Sequence, residues 1–98
     1  MTAAGDGDRS ALIDSIAGVV SGIEGVAGLH GGMFGEAATY LPGRRVAGVR
    51  IDEHGTEVHV SLLYGHPLRH TAEAVRDAVA KLTSGPVHVT VEDVVRSR

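Results

Sequence analysis

Between Thr56 and Val95 the chain changes its hydrophobic period twice. In "TEVHVSLLYG" (Thr56–Gly65), Val58, Val60 and Leu62 alternate with Glu57, His59 and Ser61. That two-residue period marks a strand with one apolar face. Leu68, Ala72, Val75, Val79 and Leu82 then recur at helical spacing, with Arg69, Glu73, Arg76, Asp77 and Lys81 around the outside. They predict a helix with one apolar stripe, and Pro67 suits its first position. Ser84-Gly85-Pro86 stops it, and "PVHVTVEDVV" returns to alternation, with Val87, Val89 and Val91 inward and His88 and Thr90 outward. A strand, a helix and a strand so joined form a crossover unit whose strands run parallel. No other feature constrains the fold as strongly.

The rest of the chain must fit around this unit. Residues 1–8 are small and polar and read as a disordered tail, leaving 9–98 as a single domain. Asp8 or Ser10 can cap a first helix. Leu12, Ile13, Ile16, Val20 and Ile23 form its apolar stripe, and Gly25 suits its C-terminal glycine. Gly18 and Gly22 each cost about 1 kcal/mol against Ala within a helix, which predicts close approach of that helix to a sheet. "VAGLHG" (Val26–Gly31) is a short strand candidate, and "RRVAGVRI" (Arg44–Ile51) reads as one strand. Asp52–Gly55 is a turn in which Gly55 takes positive φ. The expected class is α/β (α+β), order α-β-β-β-α-β. It is a two-layer sandwich, with a mixed sheet of three to four strands and two helices on one face. The other face carries Arg50, Glu57, His59, Ser61, His88 and Thr90 and stays wet or meets a partner.

Composition narrows the function. The net charge is −3, so a general nucleic-acid binder, which needs a basic face, is disfavoured. With no cysteine there is no thiolate zinc site and no thiol nucleophile. No apolar run approaches the ~20 residues of a membrane-spanning helix. "MTAAGDGDRS" lacks the basic start of a signal peptide. The expected address is cytoplasmic, without direct membrane insertion.

The stretch "GLHGGMFGEAATYLPGRR" (Gly28–Arg45) holds five of the fourteen glycines and two of the three aromatics. It fails as a phosphate loop, because Glu36 stands where a Walker loop needs Lys and Ser/Thr. Its candidate contact residues are Met33, Phe34, Tyr40, Leu41, Arg44 and Arg45. The four apolar ones either fold back to cap one end of the sheet or present a surface to a partner. Tyr, Phe, Met and Arg are the types that concentrate binding energy at interfaces. The reading favours a glycine-hinged apolar cap that doubles as a contact surface, and "GEAATYL" suits one helical turn. Arg44, Arg45 and Arg50 supply an alternative, a small nucleic-acid or anion-binding domain. Their plainer explanation is a solvated strand end paired with Asp52 or Glu53. His59 and His88 lie on the presumed polar face and could meet, with Glu57 or Glu92 beside them. Nothing completes a four-ligand zinc set, so no metal and no cofactor is expected. No nucleophile elbow or triad stands out, so no catalytic residue is expected.

"GVAGLHGGMFGEAATYLPGRRVAGVRI", "VHVSLLYGHPL" and "VHVTVEDV" together resemble the alkaline shock protein family of bacterial envelope stress response proteins. The actinobacterial members are the most similar, and the resemblance covers nearly all of Ser10–Val95. It implies a small α/β domain without a known enzymatic activity. It also implies an abundant cytoplasmic stress protein that forms homo-oligomers or is recruited to the membrane by a membrane-anchored envelope protein. It supplies no catalytic residues. The expected function is therefore a non-enzymatic protein–protein interaction or self-assembly module linked to the cell envelope.

Overall fold

The structure, a computed structural model, describes residues 5–98. Its elements are α1 (Gly5–Ser21), β1 (Val26–Leu29), β2 (Ala38–Leu41), β3 (Arg44–Ala47), β4 (Val49–Asp52), β5 (Gly55–Leu63), α2 (Leu68–Ala80) and β6 (Val87–Val95). The expected α+β sandwich with a mixed sheet is present, with more strands than the sequence suggested.

β5 is the central strand. Val58, Val60 and Leu62 are fully buried and pack with Ile13, Ile16 and Val20 of α1 and Val75 and Val79 of α2. Both helices therefore lie on the one face that the alternation exposes. β6 runs parallel to β5 along its whole length, from Thr56↔Val87 to Leu63↔Val95. β1 and β4 both run antiparallel to β5 and share its opposite edge, β1 against residues 60–62 and β4 against residues 55–58. The His59 backbone marks the junction. Its carbonyl accepts from His30 N–H at 2.9 Å and its N–H donates to the Gly48 carbonyl at 2.8 Å. The edge is thus one interrupted strand, and residues 31–47 leave it and return. The segment that seemed a single strand, Arg44–Ile51, is split at Gly48, whose φ is +83. Its two halves, β3 and β4, belong to different sheets.

Several local expectations are corrected. Of the expected tail, 1–4 lie outside the described residues and 5–8 form the first turns of α1. Asp8 and Ser10 are inside that helix and cannot cap it. Gly25, at φ +94, lies in the turn before β1 rather than at the helix end, with Val26 N–H bonded to the Ile23 carbonyl at 3.1 Å. A Cβ on Gly18 would meet nothing within 4 Å, and one on Gly22 only α1's own backbone, so neither glycine serves sheet contact. Pro67 sits at the N-cap of α2 rather than inside it. The buried stripe of α2 is Thr71, Val75 and Val79, while Leu68 and Leu82 lie at its exposed margins. In β6 the alternation breaks at a bulge: Val60 pairs with Val91 but Ser61 with Asp93, so Glu92 is the extra residue. Val91 is more than a third exposed because only β5 flanks β6.

The turn between β4 and β5 is as expected. Asp52 pairs with Gly55, the Asp52 carboxylate accepts from His54 N–H at 2.8 Å, and Gly55 has φ +126. No described helix is long and apolar enough to cross a membrane.

Candidate functional site: a hairpin set into the sheet edge

The excursion from the edge begins at His30. Gly31 accepts from Ala37 N–H at 2.8 Å, and the Ala37 carbonyl accepts from Gly48 N–H at 2.6 Å, closing the base. Between these bonds β2 and β3 pair from Ala38↔Ala47 to Leu41↔Arg44. Pro42 and Gly43 turn the chain, and Gly43 at φ +78 suits the second central position of a type II turn. "GEAATYL" is therefore mostly strand, not a helical turn.

Alternation fixes which side chains hold the hairpin and which it displays. Ala37, Thr39 and Leu41 point inward and are buried. The Thr39 hydroxyl donates to the Val49 carbonyl and Leu41 joins the core. Tyr40, between them, must point outward, and it is 71% exposed. Tyr40 and Leu41 cannot share a face, so Leu41 leaves the candidate surface. Directly opposite residues share a face, which puts Arg45 beside Tyr40, its guanidinium 5.9 Å from the ring centre.

The loop before β2 is a second display. Gly35 N–H donates to the Gly32 carbonyl at 3.2 Å, making Met33 and Phe34 the two central residues of a turn. They are 81% and 88% exposed, so they do not cap the sheet. The loop is held by its own polar groups. Gly32 N–H donates to His30 Nδ1 at 2.9 Å, and Phe34 N–H donates to the Glu36 carboxylate at 3.0 Å. The N–H groups of Glu36 itself and of Phe34 hold the Glu36 carboxyl below its ordinary range. Glycine suits position 32, where φ is +86, a region that disfavours a residue with a Cβ. The carboxylate thus occupies the Phe34 N–H donor and puts negative charge in the loop, where a phosphate would be repelled.

The three arginines do not form one face. Arg44 turns toward α1, where Nη1 and Nη2 each donate at 2.8 Å to the two oxygens of Asp14, and Nη2 also reaches Ser10 Oγ at 2.8 Å. These bonds lower the Asp14 pKa and raise that of Arg44. The expected partners Asp52 and Glu53 are not used. Ser10 and Asp14, four apart on α1, share the helix face that Arg44 meets. Arg45 stays with Tyr40, and Arg50 is exposed on β4.

On the open sheet face His59 pairs with Thr90, and His88 with Glu57, so the two rings lie on a diagonal. His59 is engaged on both sides, with Nδ1 2.7 Å from Glu92 and Nε2 3.3 Å from Glu57. Among the described residues no group of three His, Asp or Glu side chains could hold a metal. Hollows of about 290 and 320 Å³ lie beside the start of α2 and beside the β4–β5 turn, and neither is lined by the hairpin.

Comparison with protein-family models, curated proteins and solved structures gave no match to this chain. The hairpin is accordingly interpreted from its own chemistry.

Proposed function

We propose that this protein is a non-enzymatic interaction module that engages a protein partner through the hairpin. The observation that carries this reading is the display of Met33, Phe34 and Tyr40 on a segment anchored at both ends. A thin aliphatic core would gain from burying these side chains, yet alternation and the Gly32–Gly35 turn hold them out. A backbone anchored before binding leaves less conformational entropy to lose on contact, which favours affinity. Arg45 beside Tyr40 adds a charged rim. The motif resemblance to alkaline shock proteins supports the partner class, a membrane-anchored envelope protein reached from the cytoplasm, and a role in envelope stress. The competing anion-binding reading needs Arg44, Arg45 and Arg50 together, and Arg44 is already neutralised by Asp14.

The test is capture from a detergent extract of stressed cell envelope, with wild type and a Phe34→Ala/Tyr40→Ala double variant as baits. A specific envelope protein held by the wild type and lost by the variant is expected. Equal capture by both removes the hairpin from the function, and titratable, salt-sensitive binding of RNA to the wild type would restore the alternative.

A further inference from the structure

Among the strands of the described residues, β6 has the longest unpaired edge. β6 pairs with β5 alone, over nine residues, and contains neither Pro nor Lys, two devices that blunt exposed edges. Its hydrogen-bond phase follows from one contact. Thr56 N–H donates to the Pro86 carbonyl at 2.9 Å, so residues 86, 88 and 90 turn their backbone groups to β5. Val87, Val89 and Val91 turn theirs outward. On the helix side of this edge Val91 and Val94 are 37% and 41% exposed.

We infer that this edge is a homodimer interface, in which β6 of a second copy pairs antiparallel about a two-fold axis at Thr90. The register is argued from self-complementarity. With Thr90 on the axis, Val89 faces Val91 of the second copy and the reverse, and these outward-turned residues exchange four backbone hydrogen bonds. The same register sets Thr90 against Thr90, and sets His88 opposite Glu92 of the second copy twice. These are β-branched, hydroxyl and opposite-charge pairs, each of a kind that stabilises strand pairing. Glu92 is placed for the role. The bulge keeps it on the open face, where one oxygen accepts from His59 and the other is free to accept from the incoming imidazole. Beyond Glu92 the bulge changes the phase and ends the pairing. A two-fold perpendicular to the sheet leaves all four helices on one side and covers Val91, the exposed valine within the paired segment. This surface is separate from the hairpin and does not depend on it.

Sedimentation equilibrium from about 1 to 200 μM tests the inference, with amide hydrogen exchange on the same samples. The wild type is expected to be a dimer whose Val89 and Val91 amides exchange at least tenfold more slowly than in Thr90→Lys. That variant sets two ammonium groups against each other on the axis, at an exposed position outside the core, and should be monomeric with an unchanged circular dichroism spectrum. Val91→Pro removes one outward donor and no bond to β5, and should also be monomeric. Phe34→Ala/Tyr40→Ala should remain a dimer. A monomeric wild type overturns the inference, as does a Thr90→Lys dimer. Loss of the dimer in the hairpin variant alone would also overturn it, moving self-contact to the hairpin and leaving the function proposed above standing.

Discussion

Gly48 is where the edge strand resumes after the hairpin, so Gly48→Ala should be far more costly than its chemistry suggests. Two terms add. Gly48 has φ +83, a region that costs a residue with a Cβ about 1–2 kcal/mol. The new Cβ would also lie 2.8 Å from the His59 carbonyl oxygen, 2.8 Å from Leu29 Cβ and 3.0 Å from His30 N. The first and last of these atoms are bonded to each other across the junction at 2.9 Å, so neither can retreat without breaking the ladder. Overpacking of this kind costs about 1–3 kcal/mol. The total is about 2–5 kcal/mol, or a melting temperature lower by roughly 10–30 °C for a domain of this size. Gly43→Ala is the control. Gly43 has φ +78 but nothing lies within 4 Å of its absent Cβ, so only the conformational term of about 1–2 kcal/mol applies. Urea unfolding of both variants, followed by circular dichroism, should separate them by about 1–3 kcal/mol. If they agree within about 0.5 kcal/mol, β1 and β4 do not meet at His59 and the inserted-hairpin account is wrong.

Other expectations are simpler. Gly18→Ala should stabilise the protein by about 0.5–1 kcal/mol in thermal unfolding, because the added methyl meets no atom and Ala is the better helix former. Leu41→Ala should cost about 2–5 kcal/mol, since this side chain ties the hairpin to the core, whereas Phe34→Ala should stay within about 0.5 kcal/mol of wild type. The Asp14 and Glu36 pKa values are both depressed in the folded state. Their stabilisation is therefore present above their ordinary values of 3.8 and 4.5 and lost as pH falls through the folded ones. The Phe34 amide resonance should track this loss in an acid titration, and in Glu36→Gln it should no longer titrate. Arg44→Ala should give a small destabilisation that salt erases, because its ion pair with Asp14 lies in solvent.

The crossover unit was legible because its signals are local. Val58, Val60 and Leu62 announce a strand without reference to anything distant, and Gly85-Pro86 ends the helical stretch without a partner. The stripe of α2 was displaced toward Thr71 because a helix packed across a narrow sheet buries what lies over β5 and β6, and Leu68 and Leu82 lie past its margins. Gly48 was not legible: "RRVAGVRI" has the composition of one strand, and only the His30–His59–Gly48 junction shows that its halves serve different sheets. The display of Tyr40 could have been read from Ala37, Thr39 and Leu41 had the segment been treated as a strand. Its glycines and alanines suppress that signal. The pairing of Arg44 with Asp14 spans thirty positions, and charge alone does not choose Asp14 over Asp52.

The central proposal is that the hairpin, anchored at its base, binds a partner through Met33, Phe34 and Tyr40. Photo-crosslinking in living cells from a benzoylphenylalanine placed at position 34 tests it most directly. The account predicts one discrete crosslinked envelope partner under envelope stress, absent when the same probe is placed at exposed Leu68, the first residue of α2. Crosslinks that are diffuse, or identical from both positions, would contradict it.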